Sequence, residues 1–473
     1  MTRTREDLTE HHRWSHTWMG TDRLLARRLA RPVARFLSIE AASGVLLLVA
    51  TVIALVWANS PWKDSYAGFL DAEIALNVGS FDLHLTVLHF VNDALMAIFF
   101  FVVGIEIKRE LVKGELRDRR AAALPIIGAL GGMVVPALLY FVINAGTPES
   151  HGWGIPMATD IAFAVGIVSL SGKRVPAALK VFLLSLAVAD DLGAITVIAI
   201  FYSSSVAFLW LVAAALLLVG VWVLRRRRVW YGPLYFVLGV VVWYCMYRSG
   251  VHPTVAGVAM GFLMPTQPLR PDVGAAEIAD RLENQAELTA ADVENAAFLI
   301  RESVPVGERI VDRWLPWTSY VIIPIFALCN AGVALSGGAL SAAAGSRVTW
   351  GVAIGLVVGK TIGVFGAAWL AITFGLARRP RGATSLHMLG IAMAAGIGFT
   401  VALFVTGLAF DSAEITDQAK VGILFASVVA AVLSTIVLRL AAARASTSEL
   451  ELEALENEVL FAEVAPGAVI DER

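Results

Sequence analysis

The sequence predicts an all-α polytopic membrane protein of about twelve transmembrane helices. Apolar residues make up 58% of its 473 residues and charged residues only 16%, against roughly 25% in soluble domains. Apolar runs recur along the chain, most of them close to the ~20 residues that cross ~30 Å of hydrocarbon. Basic residues gather in alternate connections between those runs. Length alone would allow about three soluble domains, but the recurring runs favour a single bundle. Met1 to Arg35 is polar and basic, with no short apolar stretch ahead of a small-residue site, so no cleavable signal is expected. Cys245 and Cys329 each lie inside an apolar run without metal-ligand spacing, which reads as buried packing. No resident cofactor is expected, and a net charge of −2 gives no reason to expect nucleic acid as a partner.

In chain order, the first run, Ser38–Asn59, opens into a connection whose only basic residue is Lys63. The second, Leu85–Ile105, ends on Lys108, Arg109, Lys113, Arg117, Arg119 and Arg120. The third, Ala121–Asn144, leads to Gly146–Gly154, which holds no Lys or Arg, and the fourth, Ile155–Ser169, to Lys173 and Arg174. Lys180–Tyr202 is followed by the uncharged Ser203–Ser205, and Val206–Leu224 by Arg225 to Arg228. Pro233–Tyr247 meets Arg248, and Thr254–Met264 opens into the long charged connection from Thr266 to Leu315. Pro316–Leu335 precedes Arg347, while Gly351–Phe374 ends near Arg378, Arg379 and Arg381. Leu386–Phe410 and Val421–Leu440 complete the set. The alternation never inverts, so the number of spans is even and both termini are expected on the cytoplasmic side. The fourth and eighth runs are short for a full crossing.

The connections and tails carry expectations of their own. Ile74, Leu76 and Val78, then Gly79-Ser80, then Phe81, Leu83 and Leu85, alternate with period two around a Gly-X pair. That pattern reads as a two-residue hairpin with a type II′ turn, available to pair with a second copy, or else as an irregular loop. Ile310, Val311, Trp314 and Leu315 fall at helical spacing, which suggests a short helix lying on the cytoplasmic surface. The chain divides into a cytoplasmic tail 1–35, a transmembrane domain 36–442 and a cytoplasmic tail 443–473, made acidic by Glu449, Glu451, Glu453, Glu456, Glu458 and Glu463.

Charges inside the bilayer cost about 2.5–3.5 kcal/mol each on insertion scales, so those present call for a use. Asp160 stands in Met157-Ala-Thr-Asp-Ile-Ala-Phe163, early in the fourth run. Asp190 and Asp191 are adjacent in the middle of the fifth, in Ser185-Leu-Ala-Val-Ala-Asp-Asp-Leu-Gly-Ala194. Lys360 lies in the tenth, Asp93 begins the second, and Glu106 and Glu110 end it. Neighbours on a helix point ~100° apart, so the adjacent pair faces different partners. Burial and mutual repulsion both favour a neutral carboxyl, while a hard cation such as Na+ takes the ionised form. One carboxylate can therefore hold a proton or a sodium ion, and with alternating access that competition makes an antiporter. A single buried Asp is often only a packing hydrogen-bond partner; two together with a buried Lys are not explained that way. For Glu106 and Glu110, beside Lys108 and Arg109, anchoring of topology and a functional role both stay open.

Two runs look broken. The fourth has Gly152, Gly154 and Pro156 at its start with Thr159-Asp160 close behind, and the eleventh holds Gly396-Ile-Gly-Phe-Thr400 in mid-run. Paired glycines at mid-membrane suggest unwound backbone, which survives there only when buried or lining a cavity. The two breaks occupy matching places in two three-run units, Ala121–Tyr202 and Gly351–Leu440, which begin on opposite sides. That is an inverted-topology repeat with its site near the midplane. Asp160 and Lys360 are the candidates to balance the positive and negative helix ends such breaks create.

These segments resemble the NhaA-type bacterial sodium/proton antiporters, a family that is itself an example of the inverted-repeat plan. The resemblance rests on Ala158-Thr-Asp-Ile-Ala-Phe163, Ala189-Asp-Asp-Leu-Gly-Ala-Ile195, Gly359-Lys360, Gly396-Ile-Gly-Phe-Thr400, Asn92-Asp-Ala-Leu-Met-Ala97, Gly104-Ile-Glu-Ile-Lys-Arg-Glu110 and Ser249-Gly-Val-His-Pro-Thr-Val-Ala-Gly257. It runs from about Phe36 to Leu440. It implies a twelve-helix homodimer in the bacterial inner (plasma) membrane, joined through the hairpin near 73–85, with two crossed broken helices. It implies electrogenic exchange driven by the proton motive force, activated at alkaline pH, with lithium as a second substrate. By position it makes Asp191 the main ion- and proton-binding carboxylate, with Asp190 beside it paired to Lys360. Asp160, Thr159, Lys360, Gly396, Gly398 and Thr400 would form the crossing. Asp93, Glu106, Glu110 and His252 would belong to the cytoplasmic mouth and the pH response. One departure stands out: the family pattern has a Glu-His pair and a further His ahead of Pro-Trp, where this chain reads Ile310-Val-Asp-Arg-Trp-Leu315 before Pro316-Trp317. Its transport core is expected to hold while its pH profile differs.

Two other classes compete. An intramembrane aspartyl protease would place its aspartates on separate helices with a Gly-x-Gly-Asp turn, which this sequence lacks. A sodium-coupled organic-solute symporter of similar fold would need a larger polar cavity, and Lys360 beside two carboxylates favours proton exchange.

Overall fold

A computed structural model describes residues 42–78, 81–172, 175–203, 206–229, 231–268 and 289–444. The expectations for the tail 1–35, the start of the first run, the turn pair Gly79-Ser80, Lys173-Arg174, most of the acidic tail and part of the long connection lie outside those residues.

The described chain is almost wholly helical. Helix α1 (Ala42–Ala58) bends by 116° into the short α2 (Lys63–Leu70). Trp57 stacks on Phe69 and meets Tyr66 edge-on, which holds that bend closed. Strands β1 (Glu73–Val78) and β2 (Phe81–Thr86) pair antiparallel, Glu73 opposite Thr86 and Val78 opposite Phe81. The hairpin is therefore present, with a register that leaves two residues for its turn. Thr86 then caps α3 (Val87–Val112), accepting from the amide of His89.

Asp118 caps α4 (Arg119–Ile143), which carries Pro125 and Pro136 inside it. A 3-10 segment, Pro148–Met157, and α5 (Ile161–Leu170) follow, bent by 47°. Next come α6 (Ala177–Phe201), α7 (Phe208–Arg226), α8 (Gly232–Ser249) and α9 (Thr254–Leu263). Gly250, at φ 79°, ends α8 in the left-handed conformation that suits glycine.

After the long connection lie α10 (Ala290–Ser303), α11 (Val306–Trp317) and α12 (Ile323–Asn330). Then follow α13 (Gly337–Gly345), α14 (Arg347–Thr373), α15 (Ser385–Ala395), α16 (Phe399–Ala409) and α17 (Ala413–Arg444).

Six of these helices are long and apolar enough to cross a membrane, and nine are if each bent pair counts as one span. Their outer faces are apolar: α7 buries only Ala214 and Val221, while Phe208, Leu209 and Leu216 stand more than half exposed. A surface of that kind is stable against lipid and not against water. The protein is thus a polytopic helical membrane protein.

Every predicted run falls on helix, with three differences. The fourth was expected to begin as helix at Ile155; Ile155 to Met157 instead close the 3-10 segment, and the helix starts at Ile161. The predicted surface helix is longer than Ile310–Leu315 and runs on through a π turn, Thr318–Ile322, into α12. Helices α2, α10 and α13 lie in connections at places where no helix was expected.

Helices α4 and α14 meet along small residues, where Gly363 faces Gly131 and Val364 lies against Gly132. That close approach brings Lys360 toward the middle of the bundle.

Candidate functional site

The two breaks touch. After Met157 the chain runs extended through Ala158, Thr159 and Asp160, and the amide of Asp160 donates to the carbonyl of Ile397 at 2.6 Å. The second break, Gly396 to Gly398, separates α15 from α16, which diverge by 40°. Close approach demands its glycines: a Cβ on Gly396 would lie 2.6 Å from the carbonyl oxygen of Leu356, and one on Gly398 2.8 Å from that of Ala158.

Asp160 closes the first helices of both second halves. One carboxylate oxygen accepts from the amide of Phe163 at the start of α5, the other from that of Thr400 at the start of α16, each at 3.0 Å. Each helix start carries roughly half a positive charge, so two facing one carboxylate come close to cancelling it. The expected balancing role of Asp160 thus has its geometry.

The ammonium of Lys360 donates to Asp190 Oδ2 and, at 3.0 Å, to the hydroxyl of Thr159. A full carboxylate attracts a buried ammonium more strongly than carbonyl dipoles do. It is Thr159 that meets a helix end. Its hydroxyl lies 2.9 Å from the carbonyl of Ala395 and 2.8 Å from Asp190 Oδ2, and its single proton can serve only one of them.

Asp191 is left over. Asp190 and Lys360 are fully buried and Asp191 is 4% exposed. The second oxygen of Asp190 and Oδ1 of Asp191 have no hydrogen-bond partner among the described residues. Among Asp160, Asp190 and Asp191, the first is offset by two helix ends and the second by Lys360, and the ionised form of Asp191 is the charge left without a partner of its own. A buried carboxylate in that position must take up a proton or a cation. Among the described residues no group of three or more His, Cys, Asp or Glu side chains could hold a metal ion. A hard cation here would take oxygen ligands, from carboxylates, hydroxyls and backbone carbonyls alike.

The remaining candidates separate into two places. Asp93 lies in a π turn, Val91–Leu95, near the start of α3; Glu106 and Glu110 lie thirteen or more residues further along it, about 20 Å at helical rise. His252 sits with Asp93, Nε2 to Oδ1 at 3.5 Å, and bonds Thr254 Oγ1 at 2.9 Å through Nδ1. Its ring meets Phe404 of α16 edge-on. Glu110 accepts from the amide of Glu115 at 3.1 Å. The structure therefore does not unite Asp93 and His252 with Glu106 and Glu110.

Two features escaped the sequence reading. Asn92 and Asn330 exchange amide hydrogen bonds of 2.8 and 3.2 Å, tying α3 to α12; an Asn inside the ninth apolar run was the available signal. Tyr202 holds the 3-10 segment from outside, accepting from the amide of Gly154 at 3.0 Å and donating to the carbonyl of His151 at 2.8 Å.

Known proteins resemble this chain over most of its length. The family model described as Na+/H+ antiporter 1 matches residues 34–438. The chain is 48% identical over 423 residues to Na(+)/H(+) antiporter NhaA 2 of Myxococcus xanthus, covering 87% of this chain and 90% of that one. It is 46% identical over 412 residues to NhaA 3 of Frankia alni, 87% and 89% covered. Against NhaA 2 of Sorangium cellulosum the identity is 43% over 452 residues, 93% and 96% covered. The chain belongs to the Na+/H+ antiporter 1 family.

Proposed function

We propose that this sodium/proton antiporter exchanges its ions through competition at Asp191. The observation that carries the reading is the buried Asp191, whose Oδ1 has no partner among the described residues, beside the Asp190–Lys360 pair. Protons fill that carboxylate at low pH. At alkaline pH it is free to take Na+ or Li+, so exchange rises with pH. Asp190 offers a second proton site once Lys360 is released from it. Two carboxylates against one sodium support a cycle that moves more protons in than sodium out, and so an electrogenic one. The crossing formed by Asp160, Thr159, Gly396, Gly398 and Thr400 is the part that rearranges around the site. The reading makes the protein a transporter rather than an enzyme.

The wider frame is a bundle of twelve spans, 36–442, in the bacterial inner membrane. It has an inverted repeat around the two breaks and both tails cytoplasmic. Matching breaks in two three-run units support the repeat, and the alternation of basic connections supports the orientation. The paired strands β1 and β2 supply a hairpin through which two copies join. Asp93 with His252, and Glu106 with Glu110, act at separate places in the pH response.

The test is exchange in proteoliposomes with an imposed pH gradient, followed by lumenal pH from about 6.5 to 9, with Asp191→Asn in parallel. Sodium-dependent collapse of the gradient that disappears in Asp191→Asn is the expected result. Exchange that persists in that variant would remove Asp191 from the centre of the mechanism.

A further inference from the structure

Just before Lys360, helix α14 is not α-helical. Gly355-Leu-Val-Val-Gly359 winds as a π turn, and the amide of Lys360 itself donates to the carbonyl of Gly355, five residues back. In an α-helix that amide would take the carbonyl of Leu356. The π turn leaves the Leu356 carbonyl to face the second break, against Gly396. Thr361 donates to the carbonyl of Val357 at 2.6 Å, a side-chain bond within the same widened turn.

The turn is seated by two glycines on two prolines. A Cβ on Gly359 would lie 2.7 Å from Cα of Pro136 in α4, and one on Gly355 2.8 Å from Cβ of Pro156 in the 3-10 segment. One turn thus touches α4, the segment leading to the first break and the glycine of the second, while holding Lys360 at its end. π turns of this kind recur at functional positions because the extra residue re-aims the side chains beside it.

From this arrangement we infer that the π turn Gly355–Gly359 sets the reach of Lys360 to Asp190, and that Gly359 is a positioning residue for the exchange reaction. The inference rests on the reading that Lys360 balances Asp190 while Asp191 carries the ion. The charged groups acting on Lys360 are Asp190 and Asp191 of α6, and Asp160 at the break is a further charge acting on Asp191. From α4, Gly132 lies against the lysine side chain, and from the first break the neutral hydroxyl of Thr159.

A methyl at position 359 must push the turn away from Pro136, and Lys360 with it. The Lys360–Asp190 pair is then displaced beside Asp191, and sodium is held less tightly there.

The experiment compares four proteins in proteoliposomes: wild type, Gly359→Ala, Gly363→Ala and Gly366→Ala, each with its melting temperature. Gly363 packs on α4 as tightly as Gly359 does but one turn away from Lys360, and Gly366 has nothing within 4 Å. At one alkaline pH, Gly359→Ala is expected to raise the half-saturating sodium concentration about tenfold. Gly363→Ala should lower the melting temperature with that concentration unmoved, and Gly366→Ala should change neither. A half-saturating concentration in Gly359→Ala equal to wild type, or an equal rise in Gly363→Ala, would overturn the inference.

Thr361→Val adds no volume and removes the bond to Val357. It serves if Gly359→Ala does not fold: a raised half-saturating sodium concentration supports the inference, and a wild-type value in it counts against. Failure of the underlying reading looks different, because wild type would then lack sodium exchange or Asp191→Asn would retain it.

Discussion

Asp160, Asp190 and Lys360 share one logic: a buried charge persists where a second charge or a dipole meets it. Removing one member of a buried pair leaves the other uncompensated, at a cost of about 3–5 kcal/mol. Lys360→Met is therefore expected to lower the melting temperature sharply. Lys360→Met combined with Asp190→Asn should recover most of that loss, because no lone charge remains. Thermal unfolding in detergent checks it, and a double variant less stable than the single one would refute the pairing. Asp160 accepts from two helix starts at once. Asp160→Asn keeps one acceptor oxygen and loses the charge, so a loss of about 1–2 kcal/mol is expected, with Asp160→Ala losing more. The residues of this site were legible in the sequence because charge inside an apolar run is conspicuous. Residue spacing alone offered Lys360 to the helix ends, and its pairing with Asp190 entered only through the resemblance, because the two stand 170 positions apart in the chain.

The broken helices differ in how openly the sequence announced them. Gly396 and Gly398 mark the second break directly, since backbone approaches there leave no room for a Cβ. Around the first break the sequence offered Gly152, Gly154 and Pro156 with Thr159-Asp160 close behind, and the unwound residues are Ala158 to Asp160. Its cause is tertiary: the amide of Asp160 is claimed by the carbonyl of Ile397, a partner 237 positions away in the numbering. Among the described residues, π turns lie in α3, between α11 and α12, and in α14. They stayed hidden, because one extra residue barely disturbs a run that is apolar on every side. The α3–α12 contact yields its own test. Asn92→Ala and Asn330→Ala each take a hydrogen-bond partner from the other amide, buried at Asn330 and half-buried at Asn92, and should each cost about 1 kcal/mol. The double variant should cost less than their sum. Strict additivity in thermal unfolding would show that the two amides do not act as a pair.

For the whole molecule, composition and the alternation of basic connections predicted a polytopic helical bundle, and the folded chain is one. Helices α2, α10 and α13 were not foreseen because short helices outside the bilayer carry no long apolar run. The account reduces to a competition in which one buried carboxylate, Asp191, holds either a proton or a sodium ion. Its sign is fixed: protons win at low pH and exchange stops, while at alkaline pH the carboxylate is free for the cation. Sodium added to purified protein in lightly buffered detergent solution, near the pH where exchange begins, tests this most directly through the protons released. The account expects acidification on adding Na+ or Li+, none with an equal concentration of a large organic cation, and none in Asp191→Asn. Sodium binding without proton release in the wild-type protein, or equal release from Asp191→Asn, would contradict it.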